Sequence, residues 1–187
     1  MKRGYKVKLY NLLYKLIGVE YGKNLKLHGL PVMVARRRGG IKIGNDVTIN
    51  SSFLSNLIGL YQKTIIVART PNSEVIIGDN VGISGATIYA RDRIKIGSNT
   101  LIGANVKIID NDFHPVDPTM RLNASNENMG VKPVVIGENV FIGCNSIILK
   151  GSTIGDNATI GAGSVVSGII PENCVAAGNP ARVIKKI

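Results

Sequence analysis

Proton-transfer chemistry has few candidates here, because the chain holds only two histidines and two cysteines. His114 sits in Asp110-Asn111-Asp112-Phe113-His114-Pro115, an imidazole beside two carboxylates. An unperturbed imidazole titrates near ~6.5, which suits a general base at neutral pH, and a carboxylate close by could fix its tautomer. On the residues alone the cluster reads equally as a turn, a weak metal site or a base. His28, in Lys26-Leu27-His28-Gly29, reads as a surface or turn histidine. Cys144 lies in Ile142-Gly143-Cys144-Asn145-Ser146 with no base visibly paired to it, so a thiol nucleophile is not expected. Cys174 reads as a small, partly buried side chain. Two cysteines are too few for a disulfide framework, and nothing marks a zinc site.

The elements that must hold these residues announce themselves by period. From Ile136 an aliphatic residue recurs every six positions: Ile136, Ile142, Ile148, Ile154, Ile160, Val166. Gly follows it at 137, 143, 155 and 161, and a small or β-branched residue often lies four beyond it. The same grammar runs through Ile77 and Ile83, then Ile96, Ile102 and Ile108, with an earlier copy at Ile43 and Ile49. A helix would scatter these positions around its surface. A flat strand would not demand Gly and Asn at fixed phase. A triangular coil satisfies both demands: three short strands joined by tight turns, about 18 residues per coil, with the aliphatic inward and stacked on its counterpart one coil on. The fold expected is therefore all-β, a parallel β-helix of hexapeptide repeats.

Two stretches break the hexads. Residues 50–74 keep a strand-like Thr64-Ile65-Ile66-Val67-Ala68 in a less regular coil with a loop. Residues 111–132 fit no hexad and hold Pro115, Pro118, Asn128 and Gly130; a loop of that length inside a compact array is usually functional. Residues 1–21 form an expected amphipathic helix, with an apolar stripe from Tyr5 through Leu9, Leu12, Leu13 and Leu16 and a basic face of Lys2, Arg3, Lys6, Lys8 and Lys15. Such a helix suits a cap on the open end of the array or contact with an acidic membrane surface. The β-helix is expected over residues 22–171 and a C-terminal tail over 172–187.

Composition agrees. Hydrophobic residues make up 44% and charged residues 19%, with 22 glycines and no tryptophan, which excludes a disordered chain. No apolar run approaches the ~18 residues of a membrane-spanning helix. No cleavable leader is apparent, so a reducing cytoplasm is the expected compartment. The net charge of +11 attracts polyanions, but no aromatics interleave the basic residues as nucleic-acid binding would ask.

The hexads, the loop opening Asp112-Phe113-His114-Pro115 and the tail Ala176-Ala177-Gly178-Asn179-Pro180-Ala181-Arg182-Val183-Ile184 resemble the maltose and galactoside O-acetyltransferases. They are similar also to the capsule, colanic-acid and lipopolysaccharide O-acetyltransferases of bacteria. The resemblance covers residues 41–187. It implies a left-handed β-helix, a homotrimer with active sites between chains, acetyl-CoA as co-substrate and a saccharide hydroxyl as acceptor. It places the catalytic base on His114 and an oxyanion-stabilising backbone N–H on Cys144. It places CoA contacts on Cys144, Ala162, Ser167, Gly168, Arg182 and Lys185, and no metal. Ser167-Gly168 stands where that family often has Thr-Lys, which removes one phosphate contact that Arg182, Lys185 and Lys186 are placed to offset. Ser84 falls where those enzymes use an Asn toward the acceptor. Asp110, Asn111, Asp112 and Arg121 are further candidates for sugar contacts.

Other acceptors fit the same fold: an amino-sugar nitrogen, serine or a xenobiotic hydroxyl. A zinc-dependent carbonic anhydrase of the γ class is excluded, because it needs three histidines. A non-catalytic β-helix scaffold is the remaining alternative, and it predicts neither CoA binding nor a role for His114.

Overall fold

A computed structural model describes Tyr14 and residues 17–122 and 128–187. The expected amphipathic helix thus falls almost wholly outside the described residues. Seven coils follow one another. The first comprises β1 (Val19–Tyr21), β2 (Lys26–His28) and β3 (Val32–Ala35). The second holds β4 (Ile41–Ile43), β5 (Thr48–Asn50) and β6 (Ile65–Ala68), and the third β7 (Glu74–Ile77), β8 (Gly82–Ser84) and β9 (Thr87–Ala90). β10 (Arg93–Ile96), β11 (Leu101–Ile102) and β12 (Lys107–Ile109) make the fourth. A short helix, α1 (Pro118–Leu122), interrupts before β13 (Val134–Ile136), β14 (Phe141–Ile142) and β15 (Ile147–Ile148). β16 (Thr153–Ile154), β17 (Thr159–Ile160) and β18 (Val165–Val166) complete the sixth coil. The last is β19 (Ile169–Ile170) and β20 (Cys174–Gly178), after which β21 (Ala181–Lys186) folds back antiparallel on β20.

Every third strand stacks in parallel on the one before, so the chain forms a left-handed parallel β-helix with three faces. Sheet I runs β1-β4-β7-β10-β13-β16-β19, sheet II begins β2-β5-β8-β11-β14-β17-β20, and sheet III runs β3-β6-β9-β12-β15-β18. The hexad aliphatics line the interior: Ile136, Ile142, Ile148, Ile154, Ile160 and Val166 are each at most 1% exposed. Truncating one of them to Ala would cost about 2–5 kcal/mol, since nothing can collapse into the space between fixed coils.

The fixed Asn of each hexad has a clear job. At the I–II corner Asn24, Asp46, Asn80, Asn99, Asn139, Asn157 and Asn173 all adopt positive φ, the left-handed conformation that Asn and Asp tolerate best after Gly. Their side chains hydrogen-bond up the stack: Asn139 Nδ2 donates to Asn157 Oδ1 at 2.9 Å, and Asn157 Nδ2 to Asn173 Oδ1 at 2.8 Å.

The register departs from the sequence expectation at both ends and in the middle. The first coil begins at Val19, not at residue 22, with Val19 paired to Ile41. Part of the expected tail remains in the array, because Val175 and Ala176 pair with Thr159 and Ile160. Both expected interruptions leave the prism, and the first is a full insertion and not only an irregular coil. Ile41 pairs with Val75 and Ile94 with Val134, so these coils consume 34 and 40 residues where regular neighbours use 18 or 19. The first insertion (residues 51–64) leaves at the II–III corner, the second (residues 110–133) at the III–I corner.

The outer faces differ in chemistry. Sheet I presents Lys42, Glu74, Arg93 and Lys95, with Glu74 held by Arg93 at 2.7 Å. Sheet III presents Val32 and Val34, then Ile65, Tyr89, Ile109, Ile147 and Val165.

Candidate active site

The second insertion is built from its root upward. Asp110 follows β12 and is fully buried. Its carboxylate accepts from the backbone N–H of Arg91 at 2.8 and 3.0 Å and of Asp92 at 2.7 Å, and from Asn111 Nδ2 at 3.0 Å. Charge-assisted bonds of this kind tie the turn after β9 to the start of the loop. The two arms of the root then pair: Asn111 bridges Val131 antiparallel, Lys132 N donates to Asp110 O, and Asp112 N donates to Gly130 O. Asp112 Oδ2 is buried 2.9 Å from Lys150 Nζ, an ion pair between the root and the next coil. Gly130 leaves room for this pair, because a Cβ would lie 2.4 Å from Asp112 Oδ2 and 2.8 Å from Lys150 Nζ and push those side-chain ends aside.

Above this root the backbone turns on Phe113. His114 N donates to Asp112 O at 2.7 Å, closing a three-residue turn with Phe113 at its centre and φ +60°. Positive φ at a bulky aromatic is an outlier that costs of order 1–3 kcal/mol and persists only where neighbours enforce it. Here Asn111 Oδ1 accepts from Phe113 N at 3.0 Å, and the Phe113 ring packs on Tyr89 with centroids 4.9 Å apart. The consequence is an exposed His114 on a rigid turn. Among the described residues nothing hydrogen-bonds its imidazole. The carboxylate expected to fix its tautomer is therefore not in contact, as Asp110 is spent on backbone amides and Asp112 on Lys150.

The same geometry revises the expected sugar contacts. Asp110 and Asn111 are buried at 0% and 2% and serve the loop root, so they chiefly hold His114's turn, with Asn111 also bordering the cleft beside Asp112. Asp112 lines an open cleft of about 330 Å³ with Asn111, Lys132, Leu149, Lys150 and Ser167. Arg121 donates Nη1 to Pro115 O at 3.1 Å and to Val116 O, bracing the loop from α1. Asp117 caps α1 by accepting from Thr119 N at 2.7 Å and Met120 N at 3.2 Å. These bonds, led by the one from the Thr119 hydroxyl, hold its carboxyl below the usual range.

Of the residues expected to contact CoA, Ser167 lines the cleft beside Asp112, and Cys144, Ala162, Arg182 and Lys185 fall elsewhere. Cys144 and Ala162 occupy equivalent turns at the II–III corner of successive coils, where Gly143 leaves so little room that a Cβ would lie 2.5 Å from Ala162 N. The Cys144 N–H finds no acceptor among the described residues and its side chain is half-buried. Gly163 and Gly168 face open space. Ser167 and Gly168 lie at the III–I corner, on the far edge of sheet III from Cys144. Arg182 and Lys185 are exposed on β21, Arg182 turning Nη1 back to Ala181 O at 2.9 Å. Ser84 ends β8 at the II–III corner, 8% exposed, its Oγ accepting from Asn50 and Asn56, both at 3.1 Å. One chain thus divides the expected site between two corners: Ser84, Cys144 and Ala162 on one, His114 on the other. The four functions of Asp110, Phe113, Gly130 and Lys150 escaped sequence reasoning; only the charge of Asp110 and Lys150 was there to be noticed. No group of three or more His, Cys, Asp or Glu able to hold a metal occurs among the described residues. No helix among them is long and apolar enough to cross a membrane.

Comparison with known proteins adds the ancestry. Residues 133–168 match the bacterial transferase hexapeptide family (six repeats), and residues 93–108 match the hexapeptide repeat of succinyl-transferase. The chain is 43% identical to the galactoside O-acetyltransferase of Escherichia coli K12 over 62% of its own length and 55% of that protein's. It is 38% identical to a putative lipopolysaccharide biosynthesis O-acetyltransferase of the same organism, over 60% of each. It therefore spans little more than half the length of these curated relatives. The solved maltose O-acetyltransferase of Clostridium difficile 630 is 31% identical, with TM-score 0.59, all of this chain and 78% of that one being covered. An N-acyltransferase of Bacillus cereus, 24% identical with TM-score 0.72 over 94% of this chain and 88% of that one, shares the fold. Stacked hexads, one long loop at the fourth coil and these likenesses lead to one conclusion: the chain belongs to the hexapeptide-repeat acyltransferases.

Proposed function

We propose that the chain is an acetyl-CoA-dependent O-acetyltransferase acting on a saccharide hydroxyl in surface polysaccharide biosynthesis, with His114 as general base. The observation that carries this reading is the strained turn at Phe113, which presents an exposed imidazole without hydrogen-bond partners among the described residues. The CoA-bound galactoside acetyltransferase, 27% identical with TM-score 0.61, all of this chain and 74% of that one being covered, supports the co-substrate. The residues present fit it. Ala162 and Gly163 are exposed, with open space beside Gly163, so the backbone of that corner is accessible to a pantetheine arm, and Arg182 and Lys185 offer exposed cations for phosphates.

The thioester supplies an activated acetyl carbonyl. His114 takes the proton from the acceptor hydroxyl as its oxygen attacks that carbonyl carbon. The Cys144 N–H donates to the carbonyl oxygen as negative charge develops there. The C–S bond then breaks, and the proton held by His114 passes to the departing sulfur. A preorganised donor of this type is worth about 10²–10³ in rate.

Catalysis needs His114 and Cys144 together, yet they occupy opposite edges of sheet III. The outer surface of that sheet is mostly aliphatic and aromatic, with Thr87 and Lys107 as polar interruptions, unlike the charged sheet I, and so suited to packing against other copies. A homotrimer packed through sheet III brings the His114 loop of one chain to the Cys144 corner of the next. The decisive test is thiol release from acetyl-CoA by wild type and His114→Ala, against mono- and oligosaccharides, amino sugars and serine. Release that requires both a hydroxyl acceptor and His114 supports the proposal. Transfer to amino sugars alone would reassign the acceptor, and no CoA binding would leave a scaffold.

A further inference from the structure

The first insertion has no role in the reaction just described, and it carries the most exposed cluster of large apolar side chains among the described residues. Residues 51–62 contain no charged side chain. Phe53, Leu54, Leu57, Ile58 and Tyr61 are between 65 and 85% exposed. A contiguous apolar surface of this kind on a folded protein marks something it binds. The segment is nonetheless built, not frayed. Leu60 is 2% exposed and packs over Gly85. Asn105 Nδ2 donates to Gly59 O at 2.8 Å, and Gln62 Nε2 donates to Gly85 O at 2.9 Å and Thr87 Oγ1 at 2.8 Å. Lys107 Nζ donates to Gln62 Oε1 at 2.6 Å and lies 5.5 Å from the Tyr61 ring. These tethers lay the segment along the II–III corner of the third and fourth coils, and Cys144 turns the same corner one coil further on.

Charge supplies the second observation. Residues 1–70 hold 13 of the 23 Lys and Arg but only 2 of the 12 Asp and Glu. The other residues are balanced, with ten of each sign. The whole excess of +11 belongs to the part of the chain from which the apolar segment springs. Among the described residues 17–70 eight Lys and Arg face two Asp and Glu, and an uncharged apolar shelf that springs from the second of these basic coils, with Lys63 and Lys107 next to it, is complementary to an amphiphile with an anionic group.

We propose that residues 52–62 bind the hydrophobic chain of an amphiphilic acceptor, a saccharide joined to a lipid through an anionic linkage, and hold its sugar toward the Cys144 corner. The position of the reacting centre rests on the acetyltransferase reading; the chain-binding surface does not.

The test uses the quadruple variant Phe53→Ser, Leu54→Ser, Leu57→Ser, Ile58→Ser, all at exposed positions. Calorimetric titration with n-decyl phosphate below its micellar concentration, and with methyl phosphate, reads the surface without any turnover. Wild type is expected to bind the decyl compound at least about tenfold more tightly than the methyl one, an advantage that burial of two methylenes already supplies, and the variant to lose it. With whichever sugar is acetylated, the same advantage should appear in kcat/KM for the decyl over the methyl glycoside, and the variant should keep wild-type kcat/KM for the methyl glycoside. Equal binding of decyl and methyl phosphate by wild type overturns the proposal. So does a variant that sediments as a smaller species, which would make the surface a contact between copies. Adsorption to phosphatidylglycerol vesicles without affinity for decyl phosphate would assign it to a bilayer and overturn it as well. Decyl phosphate binding lost in the variant, in a protein that transfers no acetyl group, would sink the acetyltransferase reading and leave this one standing.

Discussion

The two insertions interrupt the same array at neighbouring corners, yet they are anchored by opposite means. The segment at 51–64 is tied down chiefly through neutral amides and one buried Leu60, with Lys107 Nζ donating to Gln62 Oε1 beside them, and turns its hydrocarbon outward. The segment at 110–133 is tied down through carboxylates, Asp110 on two backbone amides and Asp112 on Lys150, and turns His114 outward. A repeat array offers a rigid frame but no chemistry of its own, since its inward positions are aliphatic and its corners serve the backbone. Function therefore has to enter where the period fails. What enters depends on the anchor: charged anchors hold one polar group in a fixed place, neutral ones suffice to lay out a surface.

That contrast is sharpest at His114. Replacing it by Ala should lower kcat/KM by about 10²–10⁴ while the melting temperature and CoA affinity stay at wild-type values, because the side chain is exposed and unpartnered. An equal loss of CoA binding would show that the loop shapes the groove instead of moving a proton.

Asp110 should show the reverse pattern. Asp110→Ala removes the acceptor of the part-buried bonds from the amides of Arg91 and Asp92 and leaves Asp110's own buried site empty, at a total cost of about 1–3 kcal/mol. Thermal melting should fall accordingly and activity with it. A variant of unchanged melting temperature would mean that water replaces the carboxylate and that the charged anchor is dispensable.

A subtler change at the root is Gly130→Ala. Its Cβ would collide with the ends of Asp112 and Lys150, so the ion pair must separate while the backbone pairing of Asn111 with Val131 can survive. The expected loss is of order 1 kcal/mol in stability, with a larger proportional loss in kcat as His114 shifts. Equal kcat in the variant would uncouple the ion pair from the placement of the imidazole.

How much of this was legible in the sequence follows from the same division. Period-six aliphatics announce the prism, because each coil must bury the same kind of side chain at the same phase. The absence of hexads and the prolines announce the second insertion and draw the eye to His114. The first insertion was blurred, since Thr64 to Ala68 reads as a strand and the apolar residues around Leu57 carry no period to assign them a face. Hydrophobicity in a sequence does not say which way a side chain faces once the period is lost. Asp110 and Asp112 could be counted as carboxylates beside a histidine, but not distinguished as anchors, because their partners at 91, 92 and 150 lie whole coils away. Ser84 was located by repeat phase, while the hydrogen bond from Asn56 that helps cover it depends on an insertion with no phase at all.

The smallest expected effect concerns pH at the tip of the second insertion. The Asp117 carboxyl is held down chiefly by the Thr119 hydroxyl, then by the Met120 and Thr119 amides. A depressed folded value means that the cap stabilises α1 at any pH above the unfolded carboxyl's value of 3.8 and is lost as pH falls through the lower folded value. Thr119 and Met120 amide resonances should therefore titrate with a midpoint below 3.8, and Asp117→Asn should abolish that titration. Because the group is on the surface, the prism should not respond: the interior amides of β14 and β17 should hold their shifts across the same range. A midpoint at or above 3.8 would show that the cap does not form in solution. Movement of the β14 amides in step with Thr119 would show that the tip and the frame are coupled, against the separation between rigid array and functional insertion on which the comparison rests.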